Sequence, residues 1–437
     1  MEWWLIFSLM IAGLLLLMLT GLPVGFSFIL ITIAVMYALM GGGSGLKLLV
    51  LSIYDSLTKF NLTPIPFFVI MGEVLFHSGL ASRTLNVLAK WVGPLPGRLS
   101  IITLLSGGLF AALSGSAVAN TAMLGSLMVP EMRRRGYSAE LTVGPIMCSG
   151  ALAMIIPPSA LAVLLGTLAE ISIGKLLIGA FLPGVLLLGL YLLYVMAKCL
   201  VNPSHAPKYE VEAVTLSDKV LSTVRDILPL AAVIFLVLGL MFLGVATPTE
   251  AAALGALGTF ALAGWFRCLD LQVVLKSMTG TLMVTVMIFT IIAGSAAFSQ
   301  IISFSGVSRS LVEFVLSLAV SPMWILAVML GIVIALGCFM EQVSIMMITI
   351  PIFMPIVNQL SFDPVWFGVL MLISLEIGQL SPPVGLVLFV MKGVAPPDIS
   401  MKDIYKSAVP YCFADLAGLL LIILFPSIAL WLPGLSP

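Results

Sequence analysis

Charged side chains are scarce in this chain. They make up 9% of its 437 residues, whereas 61% of the residues are hydrophobic and the mean hydropathy is +1.23. A soluble domain carries about 25% charged residues, so this composition indicates an integral membrane protein surrounded by a lipid bilayer. The 19 basic residues are balanced by 19 acidic ones. This balance gives no argument for nucleic acid as a partner.

Cysteine and histidine are also few, which limits the chemistry that the chain can support. The five cysteines form no C-x-x-C pair, and the only histidines are His77 and His205. Neither a disulfide framework nor a transition-metal site is indicated. The sequence also shows no paired aspartates and no Ser/His arrangement of the kind that an intramembrane enzyme needs. We therefore predict that the protein is not an enzyme.

Two of the long apolar runs contain features that are costly in a bilayer. The run 99–130 carries Ser114-Gly115-Ser116 near its centre, and the run 141–168 is interrupted by Pro157-Pro158. Lipid offers no partners for freed backbone groups, so such backbone persists only where it faces protein or a watery cavity. We predict a re-entrant helical hairpin followed by a broken helix, which is the construction of transporter binding sites.

The same order of elements occurs twice at a constant spacing. The pairs separated by 225 residues are Pro23 and Pro248, Pro130 and Pro355, Ser149 and Ser374, Pro157 and Pro382, and Pro158 and Pro383. This spacing predicts a second hairpin over 323–357 and a second broken helix over 365–390. The chain thus divides into repeats 1–201 and 227–437, joined by a hydrophilic connector over 202–226. We expect the connector to be soluble and cytoplasmic.

The distribution of basic residues predicts that the two repeats are inverted. Arg98 and the cluster Arg133–Arg135 flank the first hairpin, whereas no Lys or Arg occurs between Arg309 and Lys392 around the second. Because cytoplasmic loops are enriched in Lys and Arg, the two hairpins should open to opposite sides. The fold class is then an all-α polytopic membrane protein with an inverted-topology repeat, and both termini should be periplasmic.

Several motifs resemble one known family. They are L-S-G-S-x-V-A, V-P-E-M-R-R-R-G-Y and I-I-P-P-S in the first repeat, and E-I-G-x-L-S-P-P-V-G-L in the second. The chain resembles the large membrane subunit of tripartite ATP-independent periplasmic (TRAP) transporters. The resemblance implies uptake of a small organic acid, driven by Na+, across a bacterial inner membrane. It also implies two partners, a periplasmic substrate-binding protein (P-type) and a small four-helix membrane subunit (Q-type).

Oxygen-rich positions at the hairpin tips and helix breaks are the candidate sodium ligands. Na+ is a hard cation, and unwound carbonyls and hydroxyls supply oxygen ligands at little charge cost. The candidates are Ser114, Gly115, Ser116, Pro157, Ser159, Glu341, Ser381 and Pro382. The alternative is that small residues merely allow the hairpin helices to pack closely.

Polar residues next to these positions are the candidate substrate contacts. They are Asn120, Thr121, Pro158, Ser344, Glu376, Gln379 and Pro383. An intramembrane carboxylate is a functional candidate by default, yet a structural hydrogen bond to a neighbouring helix would also explain Glu376.

The predicted mechanism is of the elevator type, in which the hairpins and broken helices move together against a static scaffold. Two amphipathic segments, 81–92 and 307–318, would be the arms that connect these parts. Alternatives are a passive channel, or a sodium-coupled carboxylate transporter that works without a binding protein.

Overall fold

The computed structural model describes residues 3–39, 42–207, 214–317 and 320–436, and the regular elements in these ranges are helices. The α-helical segments are Trp3–Leu19, Val24–Leu39, Gly43–Leu57, Pro64–His77, Leu80–Trp91, Arg98–Ser114, Ala117–Arg134, Ala139–Ala151, Ala160–Leu168, Ile173–Val201, Leu216–Ser222, Leu228–Ile234, Leu240–Phe242, Pro248–Trp265, Leu271–Phe304, Val307–Ser317, Pro322–Gly337, Gln342–Gln359, Pro364–Leu380, Leu386–Val394, Met401–Leu424 and Ser427–Leu435. Six helical stretches of the described part are long and apolar enough to cross a membrane, and further apolar helices are shorter.

The first hairpin and the first broken helix form where the sequence predicts them. Hairpin 1 consists of Arg98–Ser114 and Ala117–Arg134. Gly115 separates the two helices with φ +57°, a left-handed conformation that glycine adopts without steric cost. Broken helix 1 consists of Ala139–Ala151 and Ala160–Leu168, with a short 3-10 turn and an irregular stretch between them. The hairpin and the break are thus confirmed.

Hairpin 2 and broken helix 2 repeat this construction. Hairpin 2 consists of Pro322–Gly337 and Gln342–Gln359, and broken helix 2 of Pro364–Leu380 and Leu386–Val394. The X-Pro bonds Pro157-Pro158 and Pro382-Pro383 are both cis.

The helix caps also follow the 225-residue spacing. Ser116 and Glu341 cap the second helix of their hairpins, and Ser138 and Asp363 cap the first half of their broken helices. In each case a side-chain oxygen accepts hydrogen bonds from backbone N–H groups of the first turn, which have no partner within the helix. The repeat therefore extends to the groups that begin each helix.

The helices pack as two groups. Leu271–Phe304 packs along Val24–Leu39, Gly43–Leu57 and Pro64–His77 and forms the centre of one group. In the other group, the hairpins and broken helices pack on one another and on Ile173–Val201 and Met401–Leu424. Two short amphipathic helices lie beside the hairpins: arm 1 is Leu80–Trp91, against hairpin 1, and arm 2 is Val307–Ser317, against hairpin 2.

The second half of the connector is helical. Residues 208–213 lie outside the described part, but a helical stretch begins at Leu216 and continues through two π-helical turns to Phe242. The second half of the predicted soluble connector is therefore helix. Its first turns bind arm 1, because Lys90 Nζ lies 2.5 Å from Ser222 Oγ and Trp91 Nε1 lies 2.7 Å from Thr223 Oγ1.

Candidate ion and substrate sites

The tip of hairpin 1 meets the break in broken helix 1. A Cβ atom placed on Gly115 would lie 3.5 Å from the backbone nitrogen of Ala160 and 3.8 Å from the carbonyl oxygen of Pro158. Ser159 caps the second half of the broken helix, because its Oγ accepts a hydrogen bond from Ala162 N at 3.3 Å. The side chain of Ser114 lies outside the described residues. The tip and the break, which are far apart in sequence, therefore form one compact group.

Backbone and hydroxyl oxygens dominate this first group. Ser116 Oγ accepts a hydrogen bond from Ala119 N at 3.3 Å. Pro157 and Pro158 have no backbone N–H, so the carbonyls four residues before them lose their usual helical donors. The group is thus neutral and rich in acceptors, which is the kind of environment that suits Na+.

Asn120 holds hairpin 1 against broken helix 1. Its Nδ2 donates to the carbonyl oxygens of Gly107 and Ser149, each at 3.1 Å. Gly150 faces Thr121 so closely that a Cβ there would collide with the Thr121 hydroxyl. The buried Asn120 Oδ1 and Thr121 Oγ1 have no hydrogen-bond partner among the described residues. Asn120 and Thr121 therefore pack hairpin 1 against broken helix 1, and each keeps one oxygen that accepts no hydrogen bond from the described residues.

The tip of hairpin 2 meets its own break in the same way. Gly385 N donates to the carbonyl oxygen of Cys338 at 3.1 Å, and Gly337 and Gly378 approach so closely that a Cβ on either would lie 2.6 Å from the other's Cα. The close-packing explanation for small residues holds at this glycine pair.

Glu341 serves as a cap at this second tip. Its Oε2 accepts hydrogen bonds from Val343 N at 3.0 Å and from Ser344 N at 3.3 Å, and it lies 3.5 Å from Ser344 Oγ. Ser344 therefore contacts the carboxyl group of the tip. Glu341 has a structural role here whether or not it also binds an ion.

Two of the candidates after the second break have protein partners. Ser381 Oγ donates to Ile377 O at 2.7 Å, and Pro383 O accepts a hydrogen bond from the Tyr405 hydroxyl at 2.6 Å. Pro382 lies between them with its nitrogen unable to donate.

Gln379 connects the two repeats. Its Oε1 accepts a hydrogen bond from Gln342 Nε2 at 2.9 Å, and its own Nε2 lies 3.5 Å from Sδ of Met154. Gln342 begins the second helix of hairpin 2, whereas Met154 ends the 3-10 turn before the first break. The two tip-and-break groups are therefore neighbours.

Glu376 is buried in an acidic pair that the sequence analysis missed. Its Oε1 lies 3.3 Å from the Tyr191 hydroxyl, which also hydrogen bonds to Asp415 Oδ1. The pair joins a glutamate to an aspartate, so it is not the paired aspartates that the sequence was searched for. A single aspartate in the last long apolar run was the available signal, because intramembrane carboxylates are rare.

A polar cavity of about 220 Å³ lies between the long helix Leu271–Phe304 and hairpin 2. Ser295, Ser299 and Gln300 line it from the long helix, and Met346 and Met347 from hairpin 2. Lys59 and Glu170 also line the cavity and form an ion pair across it at 3.9 Å. The candidate substrate residues are not among its lining residues. Serines spaced four apart on an apolar helix were the sequence signal that could have found it.

Comparisons with known proteins agree with this architecture. Residues 11–428 match the family described as "Tripartite ATP-independent periplasmic transporter, DctM component". The C4-dicarboxylate TRAP transporter large permease protein DctM of Pseudomonas aeruginosa is 32% identical over 88% of this chain and 89% of its own length. The sialic acid TRAP transporter large permease protein SiaM of Vibrio cholerae is 27% identical over 96% of both chains.

A solved structure supports the fold alone. The chain resembles the YdaH transporter of Alcanivorax borkumensis with a TM-score of 0.67, at 14% sequence identity, over 94% of this chain and 99% of that one. That transporter is described as having an unusual topology. The family match, the relatives and the paired hairpins lead to one conclusion: the chain belongs to the DctM family, the large permease component of the multi-pass TRAP transporters.

Proposed function

We propose that this chain couples inward movement of Na+ to the import of a small organic acid across the bacterial inner membrane. The observation that carries the proposal is the contact of each hairpin tip with the break of its own broken helix. In both repeats this contact gathers unwound backbone inside an apolar protein, and broken helices of this kind form the ion and substrate sites of transporters.

The residues at the first tip and break fit a sodium ion. Ser116, Ser159 and the carbonyls around Pro157 and Pro158 offer neutral oxygens, and Gly115 lets the tip approach them. Bound Na+ would supply positive charge at this point. The chain's own part is to fix the tip against the break, so that the two segments close together around the ion.

The second tip and break differ in charge. Glu341 places a carboxylate at the position that Ser116 holds in the first repeat, and its Oε2 is engaged with backbone N–H groups. Ser381 and Pro382 follow on the broken helix. We propose a second sodium site here, in which Glu341 holds the shape of the tip and adds negative charge nearby.

We place the substrate in the polar cavity between the long helix Leu271–Phe304 and hairpin 2. The cavity is bounded by both helix groups, so a molecule in it would contact each. Lys59 is the lining cation and is paired with Glu170, with Asp55 as a second acidic residue, so a bound acid would replace Glu170 as the partner of Lys59; the serines of the long helix supply hydroxyls. The relatives' names refer to a dicarboxylate and to sialic acid. We therefore expect a carboxylate such as a C4-dicarboxylate or a sugar acid.

The packing supports an elevator mechanism. The hairpins and broken helices form one group, and arms 1 and 2 lie where this group borders the other. We propose that this group moves while the one around Leu271–Phe304 stays fixed. The family works with a periplasmic binding protein and usually a small membrane subunit, and we propose both as partners of this chain. On the charge distribution, both termini face the periplasm.

Uptake into proteoliposomes tests this function. The chain is reconstituted with its small membrane subunit, and candidate binding proteins loaded with radiolabelled organic acids are added one at a time. We expect uptake that requires both the binding protein and an inward sodium gradient. Uptake that is unchanged when sodium is replaced by choline would contradict sodium coupling, and flux without saturation would favour a channel.

A further inference from the structure

Three polar side chains from three helices meet inside the protein. Tyr191 lies on Ile173–Val201, Glu376 on broken helix 2 and Asp415 on Met401–Leu424. All three side chains are fully buried, and the Tyr191 hydroxyl lies within hydrogen-bond distance of both carboxyl groups. The sodium and substrate proposals use neither Tyr191 nor Asp415.

The Tyr191 hydroxyl contacts two carboxyl groups but has only one hydrogen to donate. A tyrosine hydroxyl has one hydrogen to donate, so it can serve one carboxylate at a time. When it donates to Asp415, the contact with Glu376 at 3.3 Å needs a hydrogen from Glu376 itself. A protonated carboxyl group donates one hydrogen bond, and the tyrosine oxygen can accept it. One added proton therefore completes the arrangement.

The outer oxygens of the pair lead to the same requirement. Glu376 Oε2 and Asp415 Oδ2 are buried and have no hydrogen-bond partner among the described residues. Two ionised carboxylates in such a place would repel each other and would both lack water. Sharing a proton reduces the pair to a single negative charge, as in other close carboxyl pairs.

The groups that face the pair bring no positive charge. They are the Cys148 thiol from broken helix 1, the Cys412 thiol on the same helix as Asp415, and the Tyr411 ring, whose centroid lies 5.4 Å from that of Tyr191. Within the described part of the chain, neither carboxyl group forms an ion pair with Lys, Arg or His. A cationic side chain therefore does not neutralise the pair.

We propose that Glu376, Asp415 and Tyr191 form a proton-binding site in which the two carboxyl groups together hold one proton at neutral pH. The proton resides on Glu376, Tyr191 accepts from it, and Tyr191 donates to Asp415. The site links Ile173–Val201, broken helix 2 and Met401–Leu424 through this chain of hydrogen bonds. Loss of the proton at alkaline pH leaves two neighbouring buried charges and loosens the three helices.

Infrared spectroscopy of the purified chain in lipid nanodiscs tests the proposal directly. We expect the carbonyl band of a protonated carboxylic acid at about pH 7, and a shift of this band when glutamate carboxyl groups carry ¹³C. The labelling uses the unmutated chain, so it does not depend on a variant that folds. In Glu376→Gln the band should be lost, whereas in Asp415→Asn it should persist at a changed frequency.

Thermal unfolding gives an independent reading. As the pH rises from about 6 to about 9, the midpoint temperature of unfolding should fall more in the parent than in Glu376→Gln. The reason is that the glutamine amide keeps a hydrogen to donate to Tyr191 at every pH. Glu73→Gln is the matched control, since Glu73 is a partly buried glutamate that pairs with His77. It should retain the infrared band. If the parent shows no carbonyl band of a protonated glutamate near pH 7, the proposal is overturned. A band that survives in Glu376→Gln would also overturn it. Both outcomes are independent of sodium coupling.

Discussion

Nε2 of Gln379 lies 3.5 Å from Sδ of Met154, and the two residues hold equivalent positions in the two repeats, 225 residues apart. A residue can contact its own counterpart only close to the axis that relates the repeats. The pseudo-two-fold axis therefore passes between the two broken helices, just before their breaks. The two candidate sodium sites lie on either side of it.

Replacement of Ser116 by Ala should weaken sodium binding. The substitution removes one oxygen from the first tip, and a lost buried hydrogen-bonding group costs about 1–2 kcal/mol. The half-saturating sodium concentration for uptake should rise roughly 5- to 30-fold, with most of the maximal rate recovered at high sodium.

A variant at another helix cap distinguishes loss of a sodium ligand at Ser116 from loss of helix stability. Ser138 caps broken helix 1 at its start, and Ser138→Ala should lower stability by about 1 kcal/mol, as Ser116→Ala does. It should leave the sodium curve unmoved. Equal sodium shifts in the two variants would show that Ser116 acts only as a cap.

Replacement of Gly115 by Ala should impair uptake by straining the left-handed turn at the tip of hairpin 1. Alanine at φ +57° costs about 1–2 kcal/mol, and its Cβ would touch Ala160 and Pro158. Gly93 is a matched control, because it has φ +49° and open space around it. Sodium titration of uptake should show weaker binding in Gly115→Ala alone. A similar loss in Gly93→Ala would show that the strain acts through overall stability and not at the tip.

The hydrogen bond between hairpin 2 and broken helix 2 should contribute to stability. Gln379→Leu leaves the buried Gln342 amide without its partner, which costs about 1–3 kcal/mol. The double variant Gln342→Leu, Gln379→Leu should be less destabilised than the sum of the single changes, because no amide is then left unpaired. Unfolding of all four proteins in denaturant measures the coupling. Strict additivity would mean that the two amides do not interact.

The inverted orientation can be tested by labelling. Arg134 lies at the open end of hairpin 1 and Ser361 follows hairpin 2, and both are exposed. Single cysteines at these positions, in a chain whose Cys268, Cys338 and Cys412 are replaced by Ser, should react with an impermeant reagent from opposite faces. Reaction of both from the periplasmic face would contradict the inverted arrangement.

The hairpin tips and helix breaks could be predicted because their causes are local. A Ser-Gly-Ser sequence supplies a left-handed glycine and a helix cap within three residues, and Pro-Pro interrupts a helix wherever it occurs. The repeat spacing then placed the second copy. The arms were equally readable, from their amphipathic pattern and the glycine before each.

The remaining features depend on contacts between distant segments. The first turns of the helix that begins at Leu216 carry Asp218, Lys219 and Arg225, so these turns have the composition of a soluble linker, and their contacts with arm 1 are tertiary. Similarly, Asp415 is visible as an isolated acid, but no sequence pattern pairs it with Glu376. The polar cavity is formed by two helix groups and has no single sequence signature.

The attachment of arm 1 determines where bending can occur. Lys90 and Trp91 tie the end of the arm to the helix Leu216–Phe242, and an ion pair between Arg83 and Asp226 at 3.6 Å adds a third link. Gly79 precedes the arm and Gly93 follows it, both with positive φ. Arm 1 is therefore held against the helix Leu216–Phe242 by side-chain contacts, and a glycine with positive φ flanks it at each end. If the proposed elevator movement of hairpin 1 occurs, we expect its displacement to be taken up by rotation at these two glycines.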